Sequence, residues 1–308
     1  MNETAINWTE LTWNPVSGCE KVSEGCKHCY ALTLAERYRG GAAFPNGFDL
    51  TIRPHKLQEP YKLKQPSIIF VNSMSDLFWD KIPETYRDQI IEVMRNTPQH
   101  VYQVLTKRPE AMLEYSKRKP LPPNFWAGTT IEAGRTAYRA DIIRRIDVPI
   151  HFVSAEPLIG VWERPDLENI QWMITGGESG IHLQDPETCM RRGLVMKVFG
   201  KWTPRPDRKD WVREIRDACI AKGTLFWHKQ WGGPTPHSAG RDVDGRTWDE
   251  RPMPSVAIVP LATVAPELQP HSPAQSPIHS TGYGGARKQQ MLSPNPKTGQ
   301  LPLFPEMA

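Results

Sequence analysis

The stretch Ile68-Ile69-Phe70-Val71-Asn72-Ser73-Met74-Ser75-Asp76 sets the reading of the whole chain. An apolar run too short for a helix passes at once into a polar cluster that ends in an acid. Five more such runs lie downstream, at 101–105, 125–128, 149–153, 172–175 and 224–227. Between them lie helix-like segments at 83–96, 109–117, 135–145 and 207–222. The first of these carries Pro83 in its opening turn and Ile90, Ile91, Val93 and Met94 at apolar positions. Short apolar runs separated by helices read as parallel strands buried on both faces. An opening strand at 6–13 brings the count to about seven. The expectation is an α/β fold, a full or partial (βα) barrel of parallel strands. An open doubly wound sheet gives a similar string, so the sequence leaves closure undecided.

The polar residues at the end of each run locate the site. Asn72, Ser73, Ser75 and Asp76 come after the first, and Thr106, Lys107 and Arg108 after the second. Thr129, Thr130 and Glu132 come after the third, and Ser154 and Glu156 after the fourth. Gly176, Gly177, Glu178 and Ser179 come after the fifth, and His228, Lys229 and Gln230 after the sixth. In parallel α/β folds these exits share one face, where ligands bind.

The chain has 308 residues, 39% of them hydrophobic, and a net charge of +4. That size supports a sizeable core, and the charge admits nucleic acid as a partner without demanding it. No apolar run approaches the roughly 20 residues of a membrane span, and the polar start does not read as a secretory signal. A cytoplasmic protein without a membrane partner is expected. Composition changes near residue 252: residues 253–308 hold ten of the 30 prolines and no tryptophan. The expected organisation is therefore a barrel-like domain at 1–252 and a disordered Pro-rich tail at 253–308. Just before the boundary, Asp244-Gly245 reads as a hairpin turn, with Trp248 docking it on the domain. Asp185-Pro186 and the segment 201–205 read as loop material.

Cys19, Cys26 and Cys29 form C-x6-C-x2-C on the loop that leaves the first strand. Gly18 and Gly25 stand next to the thiols and permit a tight backbone. Three close thiolates suit a soft metal, whereas a structural zinc site takes four ligands. The next cysteine is Cys189, and His28 adjoins Cys29 too closely to converge readily on the same ion. Three cysteines on a [4Fe–4S] cluster leave one iron without a protein ligand, open to a substrate or cofactor. Cys189 and Cys219 read as ordinary thiols.

Trp13-Asn14-Pro15-Val16-Ser17-Gly18-Cys19, with Cys26-Lys27-His28-Cys29-Tyr30, resembles a bacteriophage and prophage family known for its three-cysteine motif. That family in turn resembles a divergent branch of the radical S-adenosylmethionine enzymes. The likeness runs from about Thr4 through Asp249 and takes in Ser154-Ala155-Glu156-Pro157-Leu158 and Gly176-Gly177-Glu178-Ser179. The usual radical enzyme spacing is C-x3-C-x2-C, so the first gap here is wider. The resemblance implies a [4Fe–4S] cluster on Cys19, Cys26 and Cys29 and S-adenosylmethionine on the open iron. Reductive cleavage of that cofactor would yield a 5′-deoxyadenosyl radical that takes hydrogen from a substrate. His28 stands where an aromatic ring commonly precedes the last cysteine. Gly176, Gly177 and Glu178 resemble the segment that holds the cofactor's amino group, although here they come after a much later strand. Lys107 or Arg108 would neutralise a carboxylate or phosphate, and Ser154 and Glu156 would hold hydroxyls.

Gln300-Leu301-Pro302-Leu303-Phe304 resembles the short peptide by which bacterial proteins dock on the replication sliding clamp. An extended segment with apolar anchors suits a preformed groove. Trp79, Trp126, Trp172, Trp227 and Trp231 lie near strand ends, where they either stack a base or pack the core. Two functions remain in view. One is a radical SAM-like enzyme acting on a nucleic acid or nucleotide; the other is a non-catalytic zinc- or cluster-binding adaptor recruited to the clamp.

Overall fold

The computed structural model describes residues 2–253. The chain divides into two units, Met1–Val259 and Pro260–Ala308, and only the first holds described residues. The expected tail, apart from Met253, and the clamp peptide with Gln300, Leu301, Leu303 and Phe304 lie outside them.

The opening strands are short: β1 (Asn2–Glu3), β2 (Leu11–Trp13) and β3 (Val16–Ser17). Then come α1 (Tyr30–Arg37) and β4 (Thr51–Ile52). A regular alternation begins with β5 (Ile68–Val71), α2 (Glu84–Arg95), β6 (Val101–Thr106), α3 (Pro109–Arg118) and β7 (Phe125–Thr130). It continues through α4 (Tyr138–Ile143), β8 (Ile150–Ala155), β9 (Trp172–Gly176) and α5 (Pro186–Arg192). A hairpin of β10 (Val195–Val198) and β11 (Lys201–Pro204) interrupts it before α6 (Pro206–Lys222) and β12 (Leu225–Gln230).

The main sheet has the order β1-β2-β5-β6-β7-β8-β9-β12. From β2 to β12 every pairing is parallel. Each new strand adds to the same side in chain order, so the sheet never reverses at a switch point as a doubly wound sheet must. The result is a curled, seven-stranded half-barrel that stays open. Antiparallel β1 covers the β2 edge, and the Trp227–Asp249 bridge lies along the β12 edge.

Trp8 shows the curl directly. Its ring lies 4.8 Å from Phe70 on β5 and 6.0 Å from Trp172 on β9, centroid to centroid. Those strands are four positions apart in the sheet, roughly 19 Å if it were flat. Phe70, Trp126, Phe152, Trp172 and Ile174 line the concave face with Trp8. The alternate residues, among them Ile69, Val71, Val104, Ala127 and Val153, pack outward against Ile90, Met94, Met112 and Ile143 of the helices. Burial on both faces is why the strands read as unbroken apolar runs. Among the described residues no helix is long and apolar enough to cross a membrane.

Three local expectations need correction. The opening strand is only Leu11–Trp13. A turn with Thr9 N donating to Ile6 O folds Ile6 and Trp8 under the concave face instead. The segment 201–205 is no plain loop, because Lys201–Pro204 forms β11. Asp185-Pro186 opens a helix, with the Asp185 carboxylate accepting from Thr188 N at 2.8 Å. The five singled-out tryptophans are all buried, so they pack rather than present faces to a base. The Asp244-Gly245 turn is present, with positive φ at both residues and a Val243–Arg246 bridge, and Trp248 packs on Phe226.

Gly128 sits mid-strand because the Phe152 ring lies over it. A Cβ there would come within 2.2 Å of that ring, which is itself fully buried. Gly128→Ala is expected to cost about 1–3 kcal/mol, the usual cost of overpacking, read as a lowered urea midpoint at unchanged slope. An unchanged midpoint would contradict this packing of the concave face.

Candidate functional site

The three cysteines lie on the excursion between β2 and β4, and that excursion is tied across the strand exits. Asn14, just past β2, donates to Ser73 Oγ at 3.1 Å and accepts from Met74 N at 3.0 Å. Gly18 lies four residues on with φ +94°, its N bonded to Met74 O and its carbonyl to Ser75 Oγ. A side chain there would run into the Asp49 carbonyl, so glycine is required by both conformation and space. At the far end the Tyr30 hydroxyl donates to Ser73 O at 2.7 Å.

Between these ends four anchors hold the loop. Arg108, beyond β6, reaches Glu20 O at 3.2 Å and Cys19 Sγ at 3.9 Å. Ser23 Oγ donates to Glu132 Oε1, beyond β7, at 2.5 Å. Arg192, at the end of α5, binds Glu24 Oε1 at 2.7 Å. The His28 ring stacks on His182 at 3.8 Å with an interplanar angle of 5°. Gly25 is needed here too, because a Cβ would meet the Glu132 carboxylate at 2.6 Å.

Each exit brings charge, and the charges answer one another. Asp76 accepts from Thr106 Oγ1 at 2.7 Å, Lys107 N at 3.0 Å and Arg108 Nη1 at 3.1 Å. Glu132 is 0% exposed and faces Lys107 Nζ at 3.1 Å and Arg139 Nη1 at 3.4 Å. Burial pushes its carboxyl up, but Lys107, the Ser23 hydrogen bond and Arg139 together hold it below the usual range. Glu156 takes Lys229 Nζ at 2.6 Å. Glu178 is gripped by Arg192 through two bonds of 2.6 Å each. Burial alone would lower the Arg192 pKa, and Glu178 and Glu24 more than reverse it. Fork-to-fork pairing of this kind is what allows a carboxylate and a guanidinium to be buried together.

The residues singled out from the sequence are placed around this frame. Cys19, Cys26 and Cys29 are all partly buried, and none is in a disulfide. Cys26 closes the turn Glu24–Cys26, and Cys29 occupies the N-cap position of α1. Burial pushes the Cys19 thiol up to about 11, with Asp76 adding to the shift and Arg108 opposing it. Lys107 pairs with Glu132, and Glu156 with Lys229. Ser154 lies buried in register with Thr130 on β7 and Ile174 on β9. Gly176 packs on the Glu156 carboxylate, where a Cβ would approach to 3.1 Å. At Gly177 a Cβ would fall 1.9 Å from Trp231 O, so the contact between two exits requires glycine here. Glu178 reaches His182 at 3.4 Å besides Arg192, so its charge is already answered within the protein. The structure adds Ser23, Glu24, Arg139, His182 and Arg192, which no local sequence pattern marks; Glu24 and Arg192 stand 168 positions apart.

The donor set suits a soft metal: three free thiols on one loop, one of them at the N-cap of α1. Their present rotamers do not converge. Cys19 faces Arg108 and the Glu20 carbonyl, and Cys26 faces Ser23 at 3.9 Å. Among the described residues no three His, Cys, Asp or Glu side chains gather as ligands of one ion. Ligation requires these side chains to turn from their present partners.

The charge pairs make two outcomes testable. Arg192→Met should destabilise the chain by about 3–5 kcal/mol, because it leaves Glu178 buried with its main partner gone. The pair Arg192→Met with Glu178→Gln should lose clearly less than the sum of the two single changes in urea melts; strict additivity would mean the pair does not interact. Glu132 has a lowered folded pKa, so its contribution to stability is full above its unfolded value of about 4.3 and is lost as pH falls through the folded value. Glu132→Gln should therefore flatten the acid limb of a stability–pH curve, and an unaltered limb would contradict the assignment.

Among solved structures the chain is similar to a spore photoproduct lyase mutant with bound AdoMet and dinucleoside spore photoproduct. The TM-score is 0.46 at 10% identity, over 74% of this chain and 78% of that one. It is also similar to spore photoproduct lyase complexed with dinucleoside spore photoproduct, at TM-score 0.44 with the same identity and coverage. No curated protein matches. The model of the family described as "Protein of unknown function (DUF5131)" matches residues 3–193 and 200–252, and the chain belongs to that family.

Proposed function

We propose that this chain is a radical SAM-like iron–sulfur enzyme of the phage and prophage three-cysteine kind. In this reading Cys19, Cys26 and Cys29 hold a [4Fe–4S] cluster, and the strand exits hold S-adenosylmethionine and a nucleic-acid or nucleotide substrate. The observation that carries the reading is the placing of three free thiols on one loop pinned over the exits of a singly wound half-barrel. When bound, the cluster and its cofactor supply one-electron reduction and a radical able to abstract hydrogen.

The chain's own residues do the remaining work. Lys107 and Lys229, each about one-fifth exposed at the side chain and paired with Glu132 and Glu156, would take a carboxylate or phosphate by sharing or exchanging those partners. Glu156, next to Gly176 and bonded to Lys229 through Oε1, would offer its remaining acceptor capacity to hydroxyl or ammonium groups. Ser154 offers a hydroxyl from β8. Arg108, Ser23 and Glu24 fix the loop so that the thiols stay over the exits, and the aromatic layer around Trp8 and Trp172 closes the concave face below. A reactive intermediate needs this exclusion of water from beneath. Docking on a sliding clamp through Gln300, Leu301, Leu303 and Phe304 is part of the same proposal.

Anaerobic reconstitution with iron and sulfide tests the reading. The chain is expected to take up about four irons and four sulfides and turn brown, and replacing the three cysteines by Ala should abolish uptake. A colourless chain that retains one zinc, or a cluster that survives the triple replacement, would overturn it. Deleting residues 300–304 should remove clamp binding in a pull-down and leave iron uptake unchanged; retained binding would end the docking proposal.

A further inference from the structure

The hairpin β10–β11 is the least expected object in the structure. Val198 pairs with Lys201, so the loop is the two residues Phe199 and Gly200, with φ +44° and +83°. Two-residue hairpin turns with positive φ at both positions select Asn, Asp or Gly at the first, because a bulky side chain there is strained. Here the first position is an aromatic, and it is fully exposed, at 103% of its reference area. Nothing among the described residues rewards either feature: the ring stands clear of the fold, and Asn would make a better turn.

The setting of the ring is basic. Met190 to Arg205 contains five cations, Arg191, Arg192, Lys197, Lys201 and Arg205, and no acid. Arg192 is spent on Glu178 and Glu24, and Arg205 on Asp207. Lys197 and Lys201, on the two strands of the hairpin, make no ion pair among the described residues. The base is rigid: Arg208 Nη1 donates to Gly193 O at 2.8 Å, Arg205 Nη1 to Met190 O at 3.0 Å, and Cys189 Sγ to Val195 O at 3.2 Å. The hairpin starts three residues after Arg192, which grips both the β9 exit and the cysteine loop.

We infer that this hairpin is a wedge for double-stranded DNA, with Phe199 inserting at a base step and Lys197 and Lys201 on the flanking phosphates. A two-stranded ribbon fits a duplex groove, and single apolar side chains at such tips unstack adjacent bases. A membrane is the poorer match, since interfacial binding takes a broad apolar face and here one ring is offered. Wedging goes beyond the proposed chemistry and needs no cofactor, so its failure and that of the cluster assignment are separable.

The test uses the full chain and a short DNA duplex carrying 2-aminopurine, whose fluorescence rises on unstacking. The chain is expected to bind and raise the signal. Phe199→Asn, which keeps the turn, should abolish the rise while leaving the salt dependence of binding nearly unchanged. Lys197→Gln with Lys201→Gln should reduce the slope of log affinity against log salt by about 1.8, roughly 0.9 per phosphate contact. Any one of three results would overturn the inference: no duplex binding, an undiminished rise with Phe199→Asn, or preferential binding to phosphatidylserine vesicles.

Discussion

A carboxylate removed from water has to be answered by the protein, and Glu132 is the one on which this structure turns. It lies wholly inside, yet it stays in its charged form because Lys107, Arg139 and Ser23 come to it from three separate parts of the chain. Meeting that demand brings the β6 exit, α4 and the cysteine loop to one place. Asp76 and Glu178 repeat the arrangement on either side, with Arg108 and Arg192 as the cations that also touch the loop. The thiols are therefore placed by electrostatics. The stretch 19–29 has little apolar surface of its own with which to pack; Cys29 alone joins the small cluster around Ala31, Ala35 and Met74.

The half-barrel supplies the other requirement, a common direction. Parallel strands added in chain order deliver every exit to the same rim, and the curl turns that rim into a mouth. Below it Trp8, Phe70, Trp126 and Trp172 pack as one buried aromatic layer. The open edges of the sheet are covered by β1 and by the segment around Asp249.

The strands were legible because both faces are buried, which leaves apolar runs such as 68–71 and 101–105 unbroken by polar residues. The exits were legible for the same reason, since polarity begins abruptly where burial ends. The turn at Asp244-Gly245 carries its own chemistry and was readable from two residues. The β10–β11 hairpin was not, because Phe199-Gly200 lacks the turn signature and Lys201-Trp202-Thr203-Pro204 contains a proline. The clamp of Arg192 on Glu178 and Glu24 joins three distant segments, and no local pattern encodes it. The direction of the thiols was equally hidden: spacing places Cys26 and Cys29 close together, but Cys26 answers to Ser23 and Cys19 to Arg108.

We propose that three thiolates hold a cluster whose fourth iron has no protein ligand. Mössbauer spectroscopy of the chain loaded with ⁵⁷Fe and sulfide, before and after adding S-adenosylmethionine, tests this most directly. The expected result is a cubane spectrum in which one iron of the four separates from the rest when S-adenosylmethionine is added. Four irons that all remain unchanged, or iron that never assembles beyond isolated ions, would contradict it.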